Sequence, residues 1–428
     1  MGISGAMTTA VSGLMANATS VARISENIAN ANTVGYKRTF ADMVTQSVPG
    51  AGAVSGVKAV NGSDVSSAGM INSTGSAYDM AVSGSGFFVV SKNPDDPMLS
   101  NYFLTRAGGF TQDDKGYLVN SAGYYLAAYE LDPQTGVSGP VDRSGFGGLS
   151  SVRISDLQLP AEPTTTASVS GNLPAQETGV TPPGAPFLSS MEFYTQLGRN
   201  EKMTLSWQPT DTQNSWDLTI SDSTGRTHGV INVRFQNAGT TPGAPESYTL
   251  VSSATGMTVS ANGEVSLTVN ANDDDLPITL SLGEIGSYTG IQQFVGDFTP
   301  QKFTADGSGQ TLLARTETDQ QGIVWGVFED GRRIGLYEVP LAQVTNPDGL
   351  TLINGNAYQA GRSAGDLMLS SAGTGSNGVI LSGALEGSTV EVATELTDLI
   401  RIQRAYSSNA KIITAADEML QEINNLKR

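Results

Sequence analysis

Residues 3–30 have the sequence ISGAMTTAVSGLMANATSVARISENIAN, in which apolar side chains recur alternately four and three residues apart. The apolar positions are Ile3, Met7, Ala10, Leu14, Val21, Ile24 and Ile28, with Asn17 as a polar interruption. This heptad spacing, free of proline, predicts an amphipathic helix with one face turned to a partner. At 1.5 Å per residue, the helix would span roughly 40 Å.

A second long helix is predicted near the other end of the chain, from about Thr389 to Asn425. The apolar positions on its face are Val392, Leu396, Leu399, Ile402, Tyr406, Ala410, Ile413, Leu420 and Ile423, with Ala416, Met419 and Leu426 beside them. An apolar face this wide must pack against another surface.

The energetics of the two terminal helices favour assembly with other molecules. The general expectation for an amphipathic helix is that it covers its own globular core, but chain termini usually fray. Burying an apolar side chain contributes roughly 1.5–3 kcal/mol, whereas ordering the backbone costs about 1–2 kcal/mol for every residue. A lone helix does not recover this cost and a pair is marginal, so we predict that the sixteen stripe residues from Ile3 to Ile28 and from Val392 to Ile423 form an assembly interface between subunits.

The chain between the helices is predicted to be rich in β-strands and turns. The 50 glycines of the whole chain and its low charge, 15% of residues, suit short connections between strands. Residues 40–76 and 361–387, rich in small residues, are predicted to be extended connectors. Residues 77–154 and 301–360 would form a first β domain, and residues 155–300 an outer β domain inserted within it.

Local signals place several of the strands and turns. The apolar run Phe87–Val90 follows a Gly-Ser-Gly turn, and the segment Asp113–Gly116 predicts a turn before another short strand. The pair Asn262-Gly263 lies between alternating residues and predicts a hairpin. The segment Pro160–Pro186, rich in proline, threonine and glycine, is predicted to be a loop or linker.

The predicted fold class is therefore mostly β with α-helical termini. Two β-rich domains are nested, the second inserted in the first. The long N- and C-terminal helices, within residues 1–39 and 388–428, form a coiled-coil-like polymerisation domain. The chain of 428 residues is long enough for such a multidomain arrangement.

Composition excludes several classes of function. A formal net charge of −18 disfavours binding to nucleic acid or to an anionic membrane. The sequence holds no apolar run near the roughly 20 residues that cross a bilayer, and the N-terminus lacks the features of a cleaved Sec signal. We therefore predict no nucleic-acid partner and no membrane insertion.

Enzymatic chemistry is also disfavoured by the composition. The chain has no cysteine, and its one histidine, His228, is predicted to be a surface side chain in a hairpin. A Ser–His–Asp triad or a histidine-containing metal site would have to be built around this one residue, which disfavours histidine-based and metal-dependent enzymes. We predict no catalytic, cofactor-binding or metal-binding residues, and no cofactor.

Several long blocks of the sequence resemble one family. The N-terminal blocks are AVSGL at 10–14 and ISENIANANTVGYK at 24–37, followed by DMAVSGSGFF at 79–88, TRAGGF at 105–110 and GYLV at 116–119. The C-terminal blocks are GALEGSTVE at 383–391, QRAY at 403–406 and NAK at 409–411. Their order and content are similar to the signatures of bacterial flagellar rod and hook axial proteins. Thr389 and Ser407 depart from the family's usual Asn and Gln, which puts only local contacts in doubt.

The resemblance implies a structural and motile function. Family members polymerise into a helical homopolymer in which the terminal helices form an inner tube, with β domains outside. The resemblance implies an extracellular location in the flagellum and export without a cleaved Sec signal. It also implies, as partners, the distal rod protein, the hook cap, the hook-length-control protein, the hook–filament junction protein and the flagellar export apparatus.

Three functional hypotheses remain open from the sequence. An insertion of roughly 150 residues, the size of a whole domain, favours a subunit of the hook, a curved flexible tube that transmits torque as a universal joint. A distal rod or hook-junction component is the alternative within the family. A secreted β-rich enzyme or adhesin with helical oligomerisation tails is the alternative from another class.

Overall fold

The computed structural model describes residues 3–47, 54–133, 135–155, 157–254, 256–270, 275–299 and 302–426. The prediction of a mostly β fold with a helix at each terminus is confirmed. The chain divides into two compact units, the first formed by Met1–Leu157 with Leu313–Arg428 and the second by Gln158–Leu312.

The N-terminal part of the first unit begins with a long helix and continues as strands. Its elements are α1 (Ile3–Ala29), β1 (Thr39–Ser47), β2 (Val54–Ser63), β3 (Ile71–Ser73), β4 (Met80–Ser83), β5 (Phe87–Ser91), β6 (Tyr102–Thr105), β7 (Phe110–Gln112), β8 (Leu118–Asn120), β9 (Tyr125–Glu130) and β10 (Ser150–Ser151).

The second unit consists of strands. They are β11 (Gln158–Leu159), β12 (Thr166–Pro174), β13 (Phe187–Tyr194), β14 (Asn200–Pro209), β15 (Ser215–Asp222), β16 (Thr227–Phe235), β17 (Pro245–Ser253), β18 (Thr258–Val259), β19 (Glu264–Asn270), β20 (Asp275–Ser281), β21 (Ile291–Phe294) and β22 (Lys302–Ala305).

The chain then completes the first unit and ends in a second long helix. These elements are β23 (Thr311–Thr318), β24 (Ile323–Phe328), β25 (Arg333–Glu338), β26 (Pro340–Val344), β27 (Thr351–Ile353), β28 (Ala357–Gln359), β29 (Leu367–Ser371), β30 (Val379–Ser382), β31 (Ala384–Glu386) and α2 (Val392–Leu426).

Strand β5 lies at the centre of the first unit's sheet, between β6 and β9, and its five residues are all buried. Successive side chains of a strand point to opposite faces, so Phe88 and Val90 join one core cluster while Phe87 and Val89 join another. Burial on both faces explains why this strand is a continuous apolar run.

The prediction of extended connectors at 40–76 and 361–387 needs correction, because both segments contain paired strands. Strands β1 and β2 form an antiparallel hairpin, which is tied to α1 where the Val57 amide donates to Ser12 Oγ at 3.1 Å. In the later segment, β29, β30 and β31 pair with β26, β4 and β3. The small residues of these segments suggested connectors without strand partners. Whether a segment pairs as a strand, however, depends on partners that are distant in sequence.

The second unit packs two sheets over one apolar core. Strands β13 to β17 form one antiparallel sheet, and β12 lies in the other, where it pairs with β20, β21 and β22. The indole rings of Trp207 and Trp216 are fully buried in the shared core. The predicted loop at Pro160–Pro186 therefore needs correction, since it contains β12, whose Ala167, Val169 and Leu173 face this core.

The predicted surface position of His228 is wrong. The register of β15 and β16 shifts from Ile220 opposite Gly229 to Ser221 opposite Thr227, so His228 lies in a bulge. A bulge re-aims side chains relative to a regular strand, and the imidazole is completely buried, with Nε2 at 3.4 Å from Asp222 Oδ2. Burial lowers the pKa of His228, although the carboxylate of Asp222 opposes this effect.

Candidate assembly interface

The two terminal helices pack against each other in antiparallel orientation. Asn27 Nδ2 lies 3.1 Å from Glu395 Oε2, and a Cβ atom on Gly13 would lie 2.7 Å from Asn409 Nδ2. The two contacts are 14 residues apart on each helix. The start of α1, ten residues before Gly13, therefore lies beside residues near 419 of α2. Helix α2 continues to Leu426, and its last two turns therefore extend beyond the start of α1.

The structure divides the predicted assembly-interface residues by exposure. Ala10, Ile24 and Ile402 are buried. The half-buried residues are Met7, Leu14, Val21, Ile28, Leu399, Ala410 and Ile413. The exposed residues are Val392, Leu396, Tyr406 and Leu420. The side chains of Ile3 and Ile423 lie outside the described ones.

Helix α2 also exposes apolar side chains outside the sixteen predicted interface residues. Ile400, Ile412 and Met419 are each about half exposed, as is Leu396 of the predicted set at 47%. Because one helix of the pair covers only part of its partner, α2 keeps an apolar surface along its length. Exposed large apolar side chains repeated along one helix favour an interaction site.

A buried cluster of charged residues, Lys37, Arg106 and Glu386, ties the N-terminal segment to β31. Lys37 Nζ lies 2.6 Å from Glu386 Oε1, and both side chains are only 1% exposed. The second carboxylate oxygen of Glu386 accepts from Arg106 Nη1 at 3.1 Å, and Oε1 also accepts from the Gly69 amide at 2.7 Å. We call these three residues the ion cluster.

The amide of Asn27 organises a second set of polar contacts, where α1 ends and α2 begins. Its Oδ1 accepts from the Tyr36 hydroxyl at 3.1 Å and from the Thr39 amide at 2.9 Å. Its Nδ2 donates to Thr39 O at 2.7 Å, as well as to Glu395. Arg38 Nε lies 2.5 Å from the other oxygen of Glu395. The two helix ends are thus held by a satisfied buried network, which specifies one arrangement.

Burial affects the protonation of this region. Burial lowers the pKa of Lys37, and the hydrogen bond to Glu386 opposes the shift. Burial also raises the pKa of Tyr36. Because a buried cation is unfavourable without a counter-charge, the carboxylate of Glu386 stabilises the buried side chains of Lys37 and Arg106 that it contacts.

Gly35 allows the chain to turn after α1, next to the ion cluster and the contacts of Asn27. Its φ of +67° is a left-handed conformation, and a Cβ atom there would lie 2.6 Å from the amide nitrogen of Ala107. The Gly35 amide donates to Glu386 O at 2.8 Å. The position therefore requires glycine for both its backbone angle and the close approach of another backbone.

Replacing Gly35 by Ala is expected to lower the free energy of unfolding by at least about 1–2 kcal/mol, the cost of a left-handed non-glycine residue, with the backbone clash adding to it. Denaturant unfolding of the monomer measures the change. Gly75→Ala is the matched control, because a Cβ atom at Gly75 meets nothing within 4 Å. Equal stability of the two variants would contradict this role of Gly35.

These residues lie in the sequence blocks that resemble the family, but the sequence alone indicated no role for them. Asn27, Tyr36 and Lys37 lie in the N-terminal block, and Glu386 lies in a C-terminal one. A lysine and a glutamate within blocks of small and apolar residues were the available signal. Their pairing across the chain needs the three-dimensional structure.

Among the described residues, no helix is long and apolar enough to cross a membrane. No cluster of three or more histidine, cysteine or acidic side chains in that part of the chain has the arrangement of a metal site. Asp273 and Asp274, next to Asp275 in the sequence, lie outside the described residues.

Four family models match consecutive parts of the chain. Residues 7–37 match "Flagella basal body rod protein" and residues 81–172 match "Flagellar hook protein FlgE/F/G D1 domain". Residues 166–308 match "Flagellar basal body protein FlaE D2 domain", and residues 381–426 match "Flagellar basal body rod FlgEFG protein C-terminal".

Curated relatives align along the whole chain. The flagellar hook protein FlgE of Rhizobium meliloti (strain 1021) is 33% identical over 100% of both chains, and that of Brucella abortus is 34% identical over 100% of both. The FlgE of Escherichia coli K12 is 30% identical over 99% of this chain and 100% of its own. A crystal structure of Helicobacter pylori flagellar hook protein FlgE2 aligns with a TM-score of 0.48 at 15% identity, covering 74% of this chain and 100% of that one.

Proposed function

Since the chain belongs to the flagellar hook protein FlgE family and is a subunit of the bacterial flagellar hook, we propose that its terminal helices drive polymerisation into the curved, flexible tube that transmits motor torque to the filament. The observation that carries this proposal is the apolar surface that α2 keeps exposed beside α1. In a single chain this surface faces water, and in a polymer it is buried.

The proposed interface consists of the sixteen stripe residues in the polymerisation domain formed by residues 1–39 and 388–428. Its exposed members on α2 contact neighbouring subunits, while Ala10, Ile24 and Ile402 hold α1 and α2 together. Several neighbours, each burying apolar side chains worth roughly 1.5–3 kcal/mol, make the helices stable in the polymer. In the proposed domain organisation, the rest of the subunit contains a first β domain, within residues 77–154 and 301–360, and an inserted β domain, within residues 155–300.

Bending of the tube is proposed to occur at contacts between neighbouring β domains. Each row of subunits in a rotating curved tube shortens and lengthens once per turn. The ion cluster and the network around Asn27 fix the helix pair on the first unit, so the subunit itself resists deformation there. Polar contacts between subunits are weaker and wetter than a buried core, which lets them slide.

The protein acts structurally and without catalysis in this proposal. Its partners beyond itself are the distal rod protein, the hook cap, the hook-length-control protein, the hook–filament junction protein and the export apparatus. The location is extracellular, reached by export without a cleaved Sec signal. Full-length similarity to hook proteins supports these assignments over a rod, junction, enzyme or adhesin function.

Electron microscopy of flagellar base structures from a strain that lacks this gene tests the proposal. A complete rod without a hook is the expected result. A hook without a filament would indicate a junction protein, a truncated rod would indicate a rod component, and normal flagella would refute the family's function for this chain. Restoring the gene on a plasmid controls for effects on neighbouring genes.

A further inference from the structure

A groove of about 630 Å³ lies between α1, α2 and β1 in the first unit. Its apolar lining includes Ile24, Ile402 and Met43, of which Met43 is half exposed. We call it the helix groove. Concave sites with an apolar floor and a few polar groups are typical binding sites.

Charged side chains rim the helix groove. Arg23, Arg38 and Arg401 line it, with the carboxylates of Asp42 and Asp398. Arg23 is already paired with Glu26 and Arg38 with Glu395, so Arg401 is the arginine of the rim most open to a further partner. Asp398 is shared, because it lies 3.6 Å from Arg38 Nη2 and 3.0 Å from Arg401 Nη2. The described hydrogen bonds of Arg401 use only Nε and Nη2, and its side chain is 75% exposed. A guanidinium carries five N–H donors, so Arg401 can donate hydrogen bonds to a second carboxylate.

The C-terminal segment of α2, residues 412–422, carries acidic and apolar side chains that could bind such a groove. Between residues 412 and 426 the chain has three acidic and no basic side chains, the acidic ones being Asp417, Glu418 and Glu422. Lys427 and Arg428, which follow, lie outside the described residues. The same turns expose Met419 and Leu420, so this end presents apolar and anionic groups together.

We propose that the helix groove of one subunit receives the acidic C-terminal segment of α2, residues 412–422, from a second copy of this chain. Met419 and Leu420 contact the apolar lining, while Glu418 pairs with Arg401. This inference rests on the proposed function, for which it names the surfaces in contact.

The positions of the two surfaces determine what such a contact builds. Residues 402 and 419 of α2 are separated by about 25 Å at 1.5 Å per residue. The helix groove and the acidic segment 412–422 therefore lie near opposite ends of the helix pair. A contact between different surfaces of identical subunits is heterologous and adds subunits without closing a dimer. The docking therefore generates a row of subunits.

Crosslinking tests the contact directly, because the chain has no cysteine. A chain carrying both Ala405→Cys, in the groove, and Met419→Cys is assembled into hooks and treated with a short bismaleimide crosslinker. The two sites are about 21 Å apart on one helix, too far to be bridged within a subunit. We expect a ladder of covalent multimers from the double variant and no ladder from either single variant; a monomer band alone from intact hooks would overturn the proposal.

If the cysteine variants do not assemble, exchanging the charges of residues 401 and 418 provides a second test of the contact. Arg401→Glu and Glu418→Arg should each reduce the number of hooks per cell at least about tenfold, because like charges face each other. The double variant restores the pairing in every subunit and should return hook numbers to within about threefold of the original chain.

A matched control distinguishes specific pairing from a general charge effect. Arg404 lies on α2 one turn from Arg401 but does not line the groove, so Arg404→Glu should not rescue Glu418→Arg. Equal rescue by both, or by neither, overturns the proposal. If the original chain forms no hooks in this strain, the proposed function has failed; if it does form hooks and the exchange fails, only the docking assignment is lost.

Discussion

Hooks are expected to disappear when Leu396 is replaced by Asp, while the single chain stays folded. Leu396 is already half exposed in the subunit, so the substitution costs the monomer little beyond helix propensity, about 0.5 kcal/mol. In the polymer, the change loses roughly 2 kcal/mol of apolar burial and buries a carboxylate at a further cost of at least about 2 kcal/mol. The concentration needed for polymerisation should therefore rise about a thousandfold or more.

Electron microscopy of cells and circular dichroism of the purified chain measure the two halves of this expectation. Leu197→Asp, at a leucine of the second unit that is 91% exposed, is the control and should leave hooks intact. Leu14 and Leu399 are less informative targets, since both are half-buried beside the partner helix. Normal hooks with Leu396→Asp would contradict the proposed role of the α2 surface.

Replacing Glu386 by Gln is expected to lower the free energy of unfolding by about 3–5 kcal/mol, the usual cost of removing one member of a buried ion pair. The change leaves both Lys37 and Arg106 without their carboxylate, and burial keeps water from replacing it. Chemical denaturation of the monomer, followed by far-ultraviolet circular dichroism, measures the loss. The amides of the N-terminal segment should also exchange faster with deuterium.

Two comparisons isolate the ion cluster as the cause. Glu391→Gln, at an exposed glutamate five residues further along, should change stability by less than about 0.5 kcal/mol. The double variant Lys37→Met with Glu386→Gln should be less destabilised than the sum of the two single changes, because the first removes one of the stranded charges. Additive effects would mean that Lys37 and Glu386 do not interact energetically.

The terminal helices were predictable because periodicity is a local property. Spacings of three and four residues from Ile3 to Ile28 define α1, and α2 begins and ends within about three residues of the expected bounds. Turns were predictable for the same reason. Asp113–Gly116 and Asn262-Gly263 lie between paired strands, as their residues indicated.

Features that depend on distant partners were missed or predicted wrongly. Strand β12 resembles a loop in composition, and only its pairing with three other strands makes it part of a sheet. The bulge that buries His228 arises from the register between β15 and β16. The ion cluster joins residues from three separate parts of the chain. No short window of sequence contains such information.

The surfaces proposed for assembly combine both situations. The apolar positions of α2 follow from their spacing, but their division into buried and exposed sets depends on how much of α2 the other helix covers. The helix groove depends on β1, which the sequence had indicated as part of a connector. For this reason the apolar character of the proposed interface follows from the sequence, whereas the division of its residues into buried and exposed ones does not.

The antiparallel pairing of α1 with α2 imposes an order of events during synthesis. Asn27 and Glu395 are 368 residues apart in the chain, so α1 cannot pack against α2 until nearly the whole protein has been made. Ribosomes add about 5–20 residues per second, which makes this delay about twenty seconds or longer. A fragment that stops before Glu386 lacks both α2 and the counter-charge for Lys37. If the helix pair drives polymerisation as proposed, an incomplete product has no such pair with which to join the polymer.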